Sequence, residues 1–259
     1  MTKILVADDL GEDGMAMLRD VGDVTVKTGM DETALRAMLP GFETLVVRSA
    51  TTVTDKSLEL ADSLALIGRA GIGIDNIDVD ACTARGIAVM NTPEAAAVTT
   101  GEHALSLLMS LARNIPAADA SIRAGKWEKS KFTGVELQGK QLGVVGLGQI
   151  GRVMSSKAAG IGLTICAYDP FVSQASAPDG VRMMELDELL ATSDFVTLHL
   201  PLMQTTKHLL NRDRLFSMKK GARLIHAARG GIVCEAGLCE ALTSGHLAGA
   251  ALDVFEKEP

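Results

Sequence analysis

The chain has 259 residues, enough for two domains of roughly 100–150 residues each. Hydrophobic residues make up 47% of the chain and aromatic residues only 3%, a composition typical of helices that cover parallel sheets. This composition excludes collagen-like, disordered and disulfide-rich classes, and a formal charge of −7 disfavours nucleic acid and anionic membranes as partners. The chain lacks both an apolar stretch of about 18 residues and a CxxC pair, so we expect a cytoplasmic protein with reduced thiols, no membrane span and no metal site.

Short apolar runs typical of β-strands alternate with helical segments through residues 1–96. The predicted strands are 4–7, 24–26, 44–47, 64–67 and 87–90, and the predicted helices lie around 15–18 and 33–39. Alternation of strand and helix predicts right-handed βαβ units and a parallel sheet. We therefore expect residues 1–96 to form a small doubly wound domain.

Residues 97–259 are predicted to form a second domain, which begins with a long helix from Thr99 to Arg113. Thr99 and Glu102 have the spacing of a capping box. Four apolar residues are predicted to share one face of the helix: Leu105, Leu108, Met109 and Ala112. Five predicted strands follow, at 141–145, 163–168, 195–198, 223–226 and 248–252, and with the helices between them they predict a second parallel sheet.

A glycine motif follows the first of these five strands. Its sequence is G-x-G-x-x-G, with Gln149 and Ile150 between the last two glycines: Gly146, Gly148 and Gly151. Such a loop between strand and helix predicts a dinucleotide pyrophosphate at the helix N-terminus. Asp169 ends the next strand, 23 residues after Gly146, and its carboxylate would accept the ribose hydroxyls and repel a 2′-phosphate. The motif favours NAD over NADP, although Asp169 could instead only cap the turn that follows it.

Further motifs extend across nearly the whole chain, at 47–51, 68–76, 90–93, 125–127, 199–202, 228–231, 251–255 and 258–259. With these motifs the sequence resembles the D-2-hydroxyacid dehydrogenases. The resemblance implies an α/β fold of two doubly wound parallel-sheet domains. The first, residues 1–96, would be a flavodoxin-like substrate-binding domain, and the second, residues 97–259, a Rossmann NAD-binding domain that is incomplete at its C-terminus.

The resemblance also implies roles for individual residues. Arg229 would grip the substrate carboxylate and the reacting oxygen, and Glu258 would orient the catalytic histidine. Asp253 would lie near the nicotinamide carboxamide. Contacts to NAD are implied for Gly146, Gly148, Gln149, Ile150, Gly151, Asp169, His199, Pro201, Ala227, Ala228, Arg229 and Asp253. From the residues alone, Arg229 could equally form a surface ion pair, and Glu258 could be a solvated carboxylate.

On the substrate side, the resemblance implies a small anionic 2-hydroxy or 2-keto acid. The loop that contains Gly71, Ile72 and Gly73 would bind its carboxylate, and Arg48 and Arg69 would meet a phosphate, although Arg48 could also pair with a surface acid. The implied reaction is hydride transfer from D-3-phosphoglycerate to NAD, the first step of serine synthesis, in a homodimer or homotetramer. Two alternatives stay open: a glyoxylate, hydroxypyruvate or other 2-keto acid reductase, and a non-enzymatic NAD-responsive corepressor-like protein.

The sequence departs from the family pattern at three places. The family's catalytic histidine lies some two dozen residues beyond the Glu-Pro pair, so we expect this chain to be a fragment that binds NAD and turns over poorly. His226 stands where the family usually has Asn, and Cys234 stands where it usually has Asp. Of the other histidines, we expect His103 in the core or between domains, and His208 and His246 at the surface.

Overall fold

The computed structural model describes residues 1–257, so the expectation for Glu258 falls outside the described residues. The chain divides into two compact units, Met1–Ala96 and Ala97–Pro259. Each unit is built on its own parallel sheet.

Unit 1 alternates strands and helices along its length. Its elements are β1 (Thr2–Val6), α1 (Glu12–Val21), β2 (Gly22–Val26), α2 (Glu32–Met38), β3 (Thr44–Val47), β4 (Leu66–Arg69), α3 (Val79–Ala84) and β5 (Ala88–Asn91). The strands are parallel in the order β2-β1-β3-β4-β5, which is the flavodoxin-like order. Fully buried leucines and isoleucines fill the larger core: Leu5, Leu35, Leu39, Leu45 and Ile67.

Unit 2 begins with two helices and continues as a six-stranded sheet within the described residues. Its elements are α4 (Ala97–Ala112), α5 (Ile115–Arg123), β6 (Gln141–Val145), α6 (Gln149–Gly160), β7 (Thr164–Tyr168), β8 (Val181–Met183), α7 (Leu186–Thr192), β9 (Phe195–Leu198), α8 (Arg212–Ser217), β10 (Arg223–His226), α9 (Glu235–Thr243) and β11 (Gly249–Leu252). The order β11-β10-β9-β6-β7-β8 is that of a dinucleotide-binding sheet. Separate cores cover its two faces, as expected of a doubly wound fold.

The predicted start of helix α4 is wrong. The helix begins at Ala97, so Thr99 lies inside the first turn and forms no capping box. Its buried positions include small residues such as Gly101, where an added Cβ would lie 2.7 Å from Val153 Cγ1. Met109, predicted to share one face of the helix with Leu108 and Ala112, is 43% exposed, whereas Leu108 and Ala112 are fully buried.

Three short elements were not predicted. Strand β8 has three residues, of which only Val181 is buried, so the second sheet has six strands instead of the five predicted. Helix α3 has six residues, too few for a periodic pattern. Helix α5 follows Asn114, whose left-handed φ of 53° separates it from α4. The predicted fold class, two doubly wound parallel sheets, is confirmed, and no helix within residues 1–257 is long and apolar enough to cross a membrane.

Candidate active site: a dinucleotide cradle in unit 2 and an anion crevice in unit 1

The predicted cofactor residues gather at one edge of the unit 2 sheet. Because β6, β7, β9, β10 and β11 are parallel, their carboxyl ends meet there. Gly146 follows β6 with φ of 95°, and its N–H donates to the Tyr168 carbonyl at 2.8 Å. A Cβ at Gly146 would lie 2.8 Å from the His199 carbonyl carbon, so glycine is required both for the turn and for the close approach of β9.

The other two glycines open the N-terminus of α6. Gly148 is the N-cap residue and makes no side-chain cap, and a Cβ there would meet no atom within 4 Å. Gln149, Ile150 and Gly151 form the first turn, whose N–H groups have no intrahelical acceptor. A Cβ on Gly151 would overlap the Gly146 carbonyl oxygen and lie 3.1 Å from its carbon. An uncapped helix start beside open space fits the pyrophosphate of a dinucleotide.

Asp169 connects the glycine loop to the end of β7. Its Oδ2 accepts the Leu147 N–H at 2.8 Å, and its Oδ1 accepts the Phe171 N–H at 2.9 Å. The carboxylate therefore caps the turn after β7, the alternative raised by the sequence, and it also ties that turn to the glycine loop. Each oxygen keeps a lone pair for a ribose hydroxyl, so the observed contacts are compatible with both roles.

Two histidines lie at the carboxyl ends of β9 and β10. His226 is 3% exposed, and neither ring nitrogen has a hydrogen-bond partner within residues 1–257. Burial lowers the pKa of His226 to about 4, against a smaller opposite effect of the Arg229 backbone. Burial, reinforced by His226, also lowers the pKa of His199 to about 4, and its Nε2 lies 3.0 Å from Thr197 Oγ1. Both imidazoles are therefore neutral at pH 7. Pro201 lies two residues further along this exposed loop.

The loop after β10 carries Ala227, Ala228 and Arg229. Ala228 is buried, and Arg229 Nη1 donates to the Ala228 carbonyl at 2.8 Å. A Cβ on the next residue, Gly230, would lie 2.6 Å from the Phe255 carbonyl carbon, so this loop packs directly against the segment that follows β11. Because Glu258 lies outside the described residues, its relation to Arg229 stays a prediction.

Asp253 follows β11, and its N–H donates to the His226 carbonyl at 2.9 Å. Its Oδ1 lies 3.2 Å from His103 Nε2, and both side chains are about half exposed. Of the two locations expected for His103, the core is therefore wrong, and the place between domains stays a prediction. His208 is exposed as expected, 3.2 Å from Glu256, whereas His246 is half-buried: its ring stacks on Phe216.

Cys234 is the N-cap residue of α9 and makes no side-chain cap. This position explains why the family favours Asp there, since Asp is a strong N-cap residue and Cys is not. The thiol is partly exposed.

Unit 1 forms a crevice at the carboxyl ends of its first three strands. A cavity of about 420 Å³ is lined by Asp8, Asp9, Thr28, Gly29, Arg48, Ser49 and Ala50. Strand order reverses between β1 and β3, and ligands of doubly wound sheets bind in the crevice at such a point. Arg48 is exposed there, and its Nη1 donates to the Asp9 carbonyl at 3.2 Å.

A buried polar network, which the sequence analysis missed, holds this crevice together. The Asp8 carboxylate, 5% exposed, accepts the Arg48 N–H at 2.5 Å and the Thr51 hydroxyl at 2.7 Å. Asn76 Nδ2 donates to the carbonyls of Arg48 and Thr51, at 2.7 and 2.6 Å, and its Oδ1 accepts from Arg69 Nε at 3.2 Å. The sequence feature that could have indicated this network is Asp8, the polar residue directly after the apolar run of β1.

Arg69 is buried, unlike Arg48. It is 8% exposed, and a Cβ on Gly71 would lie 3.0 Å from its Cζ, so the guanidinium lies under the glycine loop. That loop is also tied to β5: the Gly71 carbonyl accepts the Thr92 N–H at 3.1 Å, and the Ile72 carbonyl accepts Asn91 Nδ2 at 2.6 Å. A role for Gly71, Ile72, Gly73 and Arg69 in binding substrate stays a prediction.

The fold and these two arrangements define an α/β protein with a glycine loop suited to a dinucleotide in unit 2 and a polar crevice in unit 1. Residues 105–259 match the family model described as "D-isomer specific 2-hydroxyacid dehydrogenase, NAD binding domain". The chain belongs to this family, and NAD is its cofactor. The residues at the carboxyl edge of the unit 2 sheet fit that cofactor: the glycine loop for the pyrophosphate and Asp169 for the ribose.

Three comparisons illustrate the similarity. The D-3-phosphoglycerate dehydrogenase of Methanocaldococcus jannaschii is 45% identical over 100% of this chain and 50% of the relative. The crystal structure of TT0316 protein from Thermus thermophilus superposes with a TM-score of 0.91 at 34% identity, covering 100% of this chain and 83% of that one. The NAD-dependent formate dehydrogenase from Staphylococcus aureus, in complex with NAD, gives 0.86 at 29% identity over 100% and 83%. The chain spans about half the length of the curated relatives it matches.

Proposed function

We propose that the full-length protein catalyses the NAD-dependent oxidation of a D-2-hydroxy acid and that its substrate is D-3-phosphoglycerate. The observation that carries the substrate assignment is the exposed Arg48 in the crevice of unit 1, a local cation in a chain of net charge −7. The 45% identity to an archaeal protein named D-3-phosphoglycerate dehydrogenase supports the same substrate.

The residues of this chain would have separate roles in binding and catalysis, and their chemistry suggests each role. The guanidinium of Arg229 is a planar donor fork that suits a carboxylate, which it would hold in two bonds. The loop of Gly71 to Gly73 would bring backbone N–H groups to a carboxylate. NAD, when bound, accepts the hydride from C2 of the substrate. Glu258 would orient the family's catalytic histidine, expected some two dozen residues after the Glu-Pro pair, which would take the hydroxyl proton.

Arg48 suits a phosphate because its backbone is fixed before any ligand arrives. Its N–H and C=O are both held, by Asp8 and Asn76, so binding would not have to order that segment. The Asp8 carboxylate is buried and already accepts three hydrogen bonds, which limits its repulsion of an incoming anion.

The test compares two ligands that differ by the phosphate. Replacing Arg48 by Ala is expected to weaken D-3-phosphoglycerate about 10–100-fold in isothermal titration calorimetry, since a charge-assisted contact contributes roughly 1.5–3 kcal/mol. Binding of D-glycerate should change less than twofold. The control is Arg36→Ala, which removes another partly exposed arginine of the same unit, paired with Glu59. An equal loss for both ligands, or for neither, would count against phosphate recognition by Arg48.

We further propose that unit 1 is the substrate-binding domain, and that the protein assembles as a homodimer or homotetramer through unit 2. Support for assembly is a set of exposed apolar side chains near the start of that unit: Met109, Ile115, Ile122 and Trp127. Analytical ultracentrifugation of the wild type and an Ile122→Glu variant tests it; a wild-type monomer would refute the proposal.

A further inference from the structure

Helix α4 is held against strand β11 at two points. Near the start of the strand, a Cβ on Gly249 would lie 2.9 Å from Leu111 Cδ1, so the helix approaches the strand closely there. Just beyond its end, His103 Nε2 lies 3.2 Å from Asp253 Oδ1. The helix therefore runs antiparallel to the strand, with His103 at the cofactor edge of the sheet.

The distance between the two contact points is nearly the same along the helix as along the strand. Leu111 and His103 are eight residues apart, about 12 Å along an α-helix, and Gly249 and Asp253 are four residues apart, about 13 Å along a strand. Gly101 adds a third fixed point, because a Cβ there would lie 2.7 Å from Val153 on α6. The packing of helix α4 therefore fixes the position of His103 beside Asp253.

The carboxylate of Asp253 has one oxygen engaged and one available. Its backbone N–H is fixed by the His226 carbonyl at 2.9 Å, and within residues 1–257 His103 is the only side chain paired with its carboxylate. The 3.2 Å contact brings the His103 ring nitrogen beside Oδ1 and leaves Oδ2 available as an acceptor. A half-exposed ion pair adds little to folding stability, so its main physical effect is to orient the carboxylate.

We propose that His103 is a positioning residue that orients Asp253 so that Oδ2 accepts the amide N–H of the nicotinamide carboxamide. This inference rests on the proposed function and on the expectation that Asp253 lies near the nicotinamide carboxamide. His103 touches neither the substrate nor the cofactor; it acts only through the carboxylate.

The experiment separates the two ends of the cofactor by comparing NADH with ADP-ribose, which lacks the nicotinamide. His103→Leu should weaken NADH binding about 5–20-fold in isothermal titration calorimetry and change ADP-ribose binding less than twofold. His103→Gln keeps an N–H donor of similar reach and should bind NADH within threefold of the wild type. The matched control is Lys157→Gln, which breaks the 2.9 Å ion pair with the neighbouring helix residue, Glu102, and should bind both ligands normally.

Each outcome decides the matter. Equal weakening of NADH and ADP-ribose by His103→Leu would mean a general structural role and would overturn the inference, as would no weakening of either. Failure of His103→Gln to restore NADH binding would overturn the explanation by a polar contact with Asp253. Asp253→Ala, which removes the acceptor, tests the underlying expectation separately: if it leaves the ratio of NADH to ADP-ribose affinity unchanged, Asp253 does not bind the carboxamide and the inference fails, while the proposed reaction is unaffected.

Discussion

Gly151 is the residue at which the smallest possible substitution should have the clearest effect on unit 2. In Gly151→Ala the new Cβ would overlap the Gly146 carbonyl oxygen and lie 3.1 Å from its carbon. Carbon atoms in good contact are roughly 3.5–4.0 Å apart, so helix α6 and the glycine loop must separate by about half an ångström or more. Both partners are backbone, and neither can rotate away.

The cost follows from two opposing effects. Overpacking in a tightly packed region costs typically 1–3 kcal/mol, and Ala in place of Gly within a helix returns up to about 1 kcal/mol. Because the overlap includes a backbone oxygen, we expect the steric effect to win and the free energy of unfolding of unit 2 to fall by roughly 1–2 kcal/mol. NADH affinity should fall with it, since the first turn of α6 moves.

Two further glycines of the same segment serve as matched variants. A Cβ on Gly148 or Gly160 would meet no atom within 4 Å. Gly148→Ser places a good N-cap residue where the backbone conformation allows one, so the stability of unit 2 should be unchanged. The serine side chain would occupy the space expected for the pyrophosphate, so NADH binding should be lost. Gly160→Ala lies at the far end of α6 and should preserve both properties.

Hydrogen–deuterium exchange resolved by peptide measures stability in each unit separately, which a single melting temperature of a two-unit chain does not. Calorimetric titration with NADH measures binding. The reasoning is refuted if Gly151→Ala leaves exchange in β6 and α6 unchanged, or if Gly148→Ser binds NADH as tightly as Gly160→Ala does.

Four further substitutions test other parts of the structure. His226→Asn should flatten the pH dependence of the free energy of unfolding measured in urea. The His226 side chain has a pKa near 6.5 in the unfolded chain and about 4 in the folded one. The wild-type free energy of unfolding should therefore decline by up to about 3 kcal/mol as the pH falls from 6.5 to 4, and the variant should lack this decline. Cys234→Asp should stabilise α9 by about 1 kcal/mol in scanning calorimetry, and no gain would contradict the N-cap explanation. Asp8→Asn should cost roughly 1–3 kcal/mol and speed amide exchange around Thr51; unchanged exchange would exclude an anchoring role. Asp169→Ala should weaken NADH at least tenfold and NADPH less, and an unchanged ratio would argue against ribose recognition.

Much of the fold could be predicted because parallel strands are buried on both faces. Phe195–Leu198 is buried at every position, and because only Thr197 of its four residues is polar, the strand was predicted at its bounds. Edge strand β8 exposes or half-exposes two of its three residues and has no such run. Helix α4 was misplaced for a different reason: its packing uses Gly101 and other small residues, which carry little hydrophobic signal.

The candidate site was predictable where function depends on neighbouring residues in sequence. The glycine loop and Asp169 belong to one βαβ unit, so local spacing was sufficient. Pairs such as Asp8 with Thr51, or His103 with Asp253, join residues far apart in the chain. Their contacts depend on which strand ends become neighbours, and no local pattern contains that information.

The contact at Gly230 has a mechanical consequence for unit 2. Because its Cα lies directly against the Phe255 backbone, the loop that carries Arg229 and the segment that begins with Asp253 cannot move toward each other, and each blocks the other's displacement. A ligand that pushes one of these segments toward the other must therefore displace both, so the contact transmits compression from the Arg229 loop to the segment of Asp253 and back.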